Sequence, residues 1–109
     1  MDVRRLSLLR ELADRASVTA VAAARHLTPS AVSQQLKALE REAGTPLTER
    51  SGRGLILTSA GRVLATAARD VVVAIERAEA VWAEFVEQPQ GEVTLAVERA
   101  GGPATRRRL

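Results

Sequence analysis

Apolar residues recur along the first sixteen positions at the spacing of one helical face: Val3, Leu6, Leu9, Leu12, Ala13 and Ala16. With Asp2 placed as a cap, this pattern predicts an amphipathic helix over residues 3–15. A shorter helix is expected over 20–25, capped by Thr19, with Ala22 and Ala23 small enough to let another helix approach closely. Thr28-Pro29 reads as an N-cap followed by proline at the first helical position, where a missing N–H costs nothing. The third helix runs from Pro29 to about Glu42 and is stopped by Gly44, with Pro46 beyond it. Its faces differ in kind. Val32, Leu36 and Leu39 fall on one side, while Ser30, Ser33, Gln34, Lys37 and Arg41 line the other. The polar side is short near its start, so this helix can lie close against another surface.

Residues 47–50 and 55–57 are short strand candidates joined by Ser51-Gly52-Arg53-Gly54, whose glycines suit a tight hairpin. Thr58 then caps a long helix over residues 59–87, roughly 43 Å at 1.5 Å per residue. Leu64, Ala68, Val71, Ile75, Ala78, Trp82 and Phe85 repeat along it with heptad spacing. Such a seam needs a partner, and the most economical one is a second copy of the chain. Residues 91–97 alternate as a strand would, and the Gly- and Arg-rich residues 100–109 read as unfolded.

Charge sharpens this division. The net charge of the 109 residues is +3, but residues 1–69 carry +5, residues 70–98 carry −6 and residues 99–109 carry +4. A basic head followed by an acidic helix implies that only the head faces a polyanion. Fifteen of the sixteen basic residues are Arg, which suits bidentate contact with phosphate or guanine. With one Trp and one Phe, base stacking on single strands is not expected. The chain has no Cys, no Tyr and a single histidine, His26, too few groups for a thiolate nucleophile, a metal cluster or a catalytic triad. No catalytic residue, metal or cofactor is therefore expected, and the chain does not read as an enzyme. Its apolar runs span only a few residues, far short of a membrane span, and the charged start of the chain is unlike a signal peptide. A cytoplasmic location is expected.

Three helices with a polar outer face on the third, followed by a hairpin carrying Arg50 and Arg53, make a winged helix-turn-helix. In that arrangement Ser33 and Gln34 can meet base edges in the major groove, and Gln can bond adenine in bidentate fashion. Thr28 and the free N–H groups beside it can hold a phosphate. Lys37 and Arg41 sit where backbone passes, and Arg53 can enter a narrow minor groove. Each feature alone has a plainer reading, as a solvated face or a simple turn. Their conjunction in one order carries the inference.

The run from Ser17 through Gln35 and Leu36, with Leu39-Glu40-Arg41-Glu42, Gly44, Pro46-Leu47, Glu49-Arg50, Gly52-Arg53 and Leu57-Thr58-Ser59-Ala60-Gly61, resembles the N-terminal part of LysR-type transcriptional regulators. The resemblance covers residues 1 to about 90. It implies a mainly α fold: a winged helix-turn-helix over residues 1–58 (helix-turn-helix about 18–37, wing about 47–57), a linker and dimerisation helix over 59–87, and a stub over 88–109. It also implies paired linker helices and binding to an imperfect dyad in double-stranded DNA. By position it assigns base contacts to Pro29, Ser30, Ser33 and Gln34, backbone contacts to Thr28 and Lys37, and wing contacts to Arg50 and Arg53. Family members continue into a co-inducer-binding domain, and this sequence stops where that domain's first strand would begin, so no small-molecule effector is expected here. Arg25 stands where the family usually has an apolar core residue, and Thr45 and Thr48 replace apolar positions before the wing. A softened core is the corresponding expectation.

Two functions follow from these readings. One is a homodimeric, sequence-specific DNA-binding regulator. The alternative is a protein-interaction module that heterodimerises through residues 59–87 with a full-length relative.

Overall fold

A computed structural model describes residues 1–52 and 54–88. Along the chain the elements are α1 (Val3–Arg15), α2 (Val18–Arg25), α3 (Pro29–Ala43), β1 (Thr48–Ser51), β2 (Gly54–Leu57) and α4 (Ser59–Glu87). The chain divides into two compact units, Met1–Val72 and Val73–Leu109. Arg53, the candidate strand at 91–97 and the tail at 100–109 lie outside the described residues.

Helix α1 begins where Asp2 accepts a hydrogen bond from the Arg4 N–H at 2.8 Å. Its buried stripe is narrower and differently composed than expected. Leu6, Leu8, Leu9 and Leu12 are buried together with Glu11, whereas Val3, Ala13 and Ala16 are exposed. Helix α2 starts two residues before the expected position, because Ser17 and not Thr19 is its cap: the Ser17 hydroxyl accepts from the Ala20 N–H at 3.1 Å. Ala22 packs inward as anticipated, and Ala23 faces out.

Helix α3 follows the sequence closely. Thr28 Oγ1 accepts from Ala31 N at 3.0 Å, Pro29 opens the first turn, and Gly44 closes the helix in the left-handed region at φ 73°. A residue with a Cβ is strained in that conformation, which is why the chain turns at a glycine there. Strands β1 and β2 pair antiparallel with Thr48 opposite Leu57 and Ser51 opposite Gly54. At the foot of this hairpin Thr58 donates its N–H to Leu47 O at 3.0 Å, and its hydroxyl donates to Pro46 O at 2.8 Å. The same hydroxyl accepts from Gly61 N at 3.0 Å and so caps α4.

The core of the first unit joins Leu9 and Leu12 of α1, Val21 of α2, and Val32, Leu36 and Leu39 of α3 to Leu47, Leu57, Ala65 and Ala68. Ala68 corrects the heptad reading. It is completely buried in this core, so it offers no side chain to a second chain, whereas Leu64 packs against the same cluster and stays half-buried. A small side chain satisfies a heptad and a core equally well, and here the core takes Ala68. The open part of the seam starts at half-buried Val71 and continues through Ile75 and Ala78 to Trp82, which is 63% exposed. Trp82 stacks on Phe85 with ring centroids 5.0 Å apart, which leaves Phe85 half-buried.

Arg25 is not an unpaired charge in the core. Its Nε donates to Glu11 Oε1 at 2.5 Å and its Nη2 to Ser7 Oγ at 2.5 Å, while Arg15 Nε donates to the other Glu11 oxygen at 2.6 Å. A buried carboxylate held between two guanidiniums replaces the apolar contact expected between α1 and α2. Thr45 is exposed, and the Thr48 hydroxyl donates to Glu40 at 3.2 Å.

Candidate nucleic-acid interface

Helix α3 is held on both flanks, which leaves its outer face free. On one side Arg5 of α1 donates through Nε to Gln35 Oε1 at 2.8 Å and through Nη1 to Glu42 at 2.9 Å. On the other side Glu40 accepts hydrogen bonds from the entrance of β1. Opposite the buried Val32, Leu36 and Leu39, the residues Ser30, Gln34, Lys37 and Arg41 are exposed. Thr28 and Pro29 are exposed at the helix start, and the Thr28 hydroxyl keeps its own proton for donation while its oxygen caps Ala31. Ser33 is half-buried and lies toward the wing flank rather than on the crest of the outer face.

Ser33 and Lys37 line a groove of about 560 Å³, together with Ser17 and Thr19 of the α2 start and Arg50 of β1. The α2 contribution was missed in the sequence, since placing the cap at Thr19 puts Ser17 outside the helix. The available signal was the residue type alone, since Ser is as good a cap as Thr. Arg50 is exposed opposite half-buried Leu55. Its companion on the expected wing, Arg53, lies outside the described residues.

Ion pairing sorts the basic residues into two groups. Arg4, Arg5, Arg10, Arg15, Arg25 and Arg69 are paired with carboxylates of this chain. Among the described residues Lys37, Arg41, Arg50, Arg62 and Arg77 form no such pair and are exposed, and the first three lie on α3 and β1. A surface that leaves its own cations uncompensated presents positive potential to a polyanion. This surface combines short hydrogen-bonding side chains, uncompensated cations and a groove between α3, the start of α2 and the wing strands. It can take a duplex edge with its phosphates.

The model of the family described as bacterial regulatory helix-turn-helix protein, lysR family, matches residues 3–62, from α1 through the wing into the first turn of α4. The chain belongs to this LysR family. It is 36% identical over 97 residues to the probable HTH-type transcriptional regulator LtrA of Klebsiella pneumoniae, covering 89% of this chain and 31% of that protein. It is 36% identical over 98 residues to the HTH-type transcriptional regulator MetR of Haemophilus influenzae, covering 90% of this chain and 32% of the relative. The chain thus spans about a third of the length of these relatives. Among solved structures, it resembles the DNA-binding domain of CbnR in complex with DNA, with TM-score 0.70 and 29% identity over 80% of this chain and all of that one. It also resembles full-length LysG of Corynebacterium glutamicum with bound effector Arg, with TM-score 0.69 and 34% identity over 82% of this chain and 31% of LysG. The LysR winged helix-turn-helix followed by a long helix is therefore the fold of this chain, mainly helical with a two-stranded wing. No helix among the described residues is long and apolar enough to cross a membrane.

Proposed function

We propose that this chain reads double-stranded DNA as a transcriptional regulator, and that two copies act together on an imperfect dyad. The observation that carries this reading is the outer face of α3, where Ser30, Gln34, Lys37 and Arg41 are exposed and unpaired beside Arg50. Pro29, Ser30, Ser33 and Gln34 supply base contacts, Thr28 and Lys37 hold backbone, and Arg50 and Arg53 reach DNA from the wing. Support comes from LysR membership and from CbnR, whose DNA-binding domain was crystallised with DNA. Ser33, half-buried, reaches only what enters the groove, whereas Gln34 on the crest reaches base edges first. A DNA reader of this family works in the bacterial cytoplasm, where the DNA lies.

Substitution separates specificity from affinity. Gln34→Ala is expected to cost about 1–3 kcal/mol at particular base pairs and relax preference there. Lys37→Ala should weaken binding evenly across sequences and lower the salt slope by about 1. Gel shifts on mutated duplexes over a salt series measure both, and a Gln34→Ala protein with an unchanged base preference contradicts the docking.

The exposed Val81, Trp82 and Val86 of the second unit also fit the alternative of a heterodimerising module. The homodimer has the simpler requirement, because Val71, Ile75, Ala78, Trp82 and Phe85 repeat in self-complementary heptad order. Size-exclusion chromatography with gel shift on the isolated chain distinguishes them: a self-dimer that shifts DNA supports the regulator, and a monomer that shifts nothing alone supports the module.

A further inference from the structure

A carboxylate on a DNA-facing helix opposes phosphate, so its presence calls for a function that outweighs the repulsion. Glu40 stands one turn beyond Lys37 and lines the same groove. Its Oε2 atom accepts three hydrogen bonds from the entrance of the wing: Leu47 N at 2.8 Å, Thr48 N at 3.0 Å and Thr48 Oγ1 at 3.2 Å. Two successive backbone N–H groups directed at one oxygen fix the rotation of the chain as it enters β1. Buried Leu47 anchors that point from below. Beyond it the strands make their extensive backbone contacts with each other, and α1, α2 and α3 make theirs among themselves. The hairpin is held to the helices at its foot, where Leu47 and Leu57 enter the core, Thr58 bonds Pro46 and Leu47, and this carboxylate adds three hydrogen bonds between α3 and the entrance of β1.

We propose that Glu40 is a positioning residue for DNA recognition: by holding Leu47 and Thr48 it sets the wing so that Arg50 and the outer face of α3 engage one site together. The proposal rests on the docking described above. Glu40 does not itself touch DNA in it. Because charge-assisted hydrogen bonds to a single oxygen are directional and strong, the side chain acts as a strut rather than as a surface charge. Gln in its place keeps an acceptor oxygen at the same reach, whereas Ala removes it.

The test is a double-mutant cycle on the full 109-residue chain with a duplex selected from random DNA. In the wild-type protein Arg50→Ala is expected to weaken binding about tenfold, a typical loss for one phosphate-paired cation. In the Glu40→Ala background the same change should cost less than about twofold, because Arg50 no longer reaches its place. Glu40→Gln should restore most of the tenfold effect. Residual dipolar couplings of the free protein give a readout that needs no DNA: the β1–β2 amides should reorient relative to α3 in Glu40→Ala and not in Glu40→Gln. An Arg50 penalty as large in Glu40→Ala as in the wild type, or an unchanged wing orientation, overturns the proposal while leaving the docking intact. Loss of any Arg50 effect in the wild type overturns the docking and the proposal together. If Glu40→Ala does not fold, Thr48→Val carries the test: it removes one donor at constant shape and must reduce the Arg50 penalty at least about twofold.

Discussion

Gly61→Ala should lower the melting temperature by about 15 °C or more, the largest effect expected of any one-carbon change in this chain. The first turn of α4 lies against the residues that lead into the wing, where Thr58 N donates to Leu47 O at 3.0 Å. A Cβ on Gly61 would fall far inside van der Waals contact with the Leu47 carbonyl oxygen, and 3.0 Å from the carbonyl carbon and 3.3 Å from Leu57 Cβ. The obstacle is backbone on one side and helix on the other, so no rotamer change relieves it. Either α4 moves out, exposing Ala65 and Ala68, or the Leu47 peptide rotates and breaks its bond to Thr58. Overpacking of this kind costs about 3 kcal/mol, and a domain of this size loses about 4–8 °C per kcal/mol. Gly54→Ala is the control, because nothing lies within 4 Å of a Cβ placed there. Thermal melts followed by circular dichroism check both. A Gly61→Ala protein melting within a few degrees of the wild type would mean that α4 does not approach Leu47 as described.

The second large effect is acid sensitivity centred on Glu11. Only 8% of this residue is exposed. Burial pushes its carboxyl up, but hydrogen bonds from Arg15 and Arg25, with their charges, outweigh that and leave it below the ordinary value of 4.5. A group whose proton affinity is lower in the folded state stabilises the fold above its unfolded value and loses that contribution as pH falls through the folded one. Stability should therefore hold from neutral pH to about 5 and decline below about 4.5. Glu11→Ala removes the acceptor from two guanidiniums and leaves Arg25 half-buried without its carboxylate. The expected loss at pH 7 is about 2 kcal/mol, below the figure for a fully buried pair because both arginines keep contact with water. Replacing the pair together, as Glu11→Leu with Arg25→Leu, should return stability to near the wild type and flatten the acid decline. Some slope remains in that variant. The Arg10 hydrogen bond, with Arg69, holds Asp14 low, and the Arg4 N–H holds Asp2 low. Urea titrations between pH 3 and 7 measure this, and an acid decline equally steep in the double variant would remove Glu11 from its cause.

These two effects mark where the sequence was legible and where it was not. Local signals carried their meaning intact: Thr28-Pro29 and Gly44 bound α3, and the glycines of the wing mark its hairpin, because caps and turns depend on a few neighbouring residues. Competing local signals were ambiguous, as at Ser17 and Thr19, either of which could cap α2. The roles of charged residues were the least legible. Arg25 reads as a defect in the core, and nothing in the sequence singles out Glu11 or Glu40, because their partners come from other elements: Glu11 meets Arg25 across α1 and α2, and Glu40 meets the start of β1. Ala68 failed for the opposite reason, since a small residue in heptad register suits a core and a seam alike. The polar outer face of α3 was readable throughout, being defined by which residues the core does not take.

Selection of bound duplexes from a random DNA pool by the 109-residue chain tests the central claim most directly, because it examines DNA binding, base preference and symmetry in one experiment. The enriched sequences should contain an imperfect inverted repeat, with a preference at the base pairs that Gln34→Ala relaxes. A pool that shows no enrichment, or converges on a single unrepeated site bound by one copy, would contradict the account.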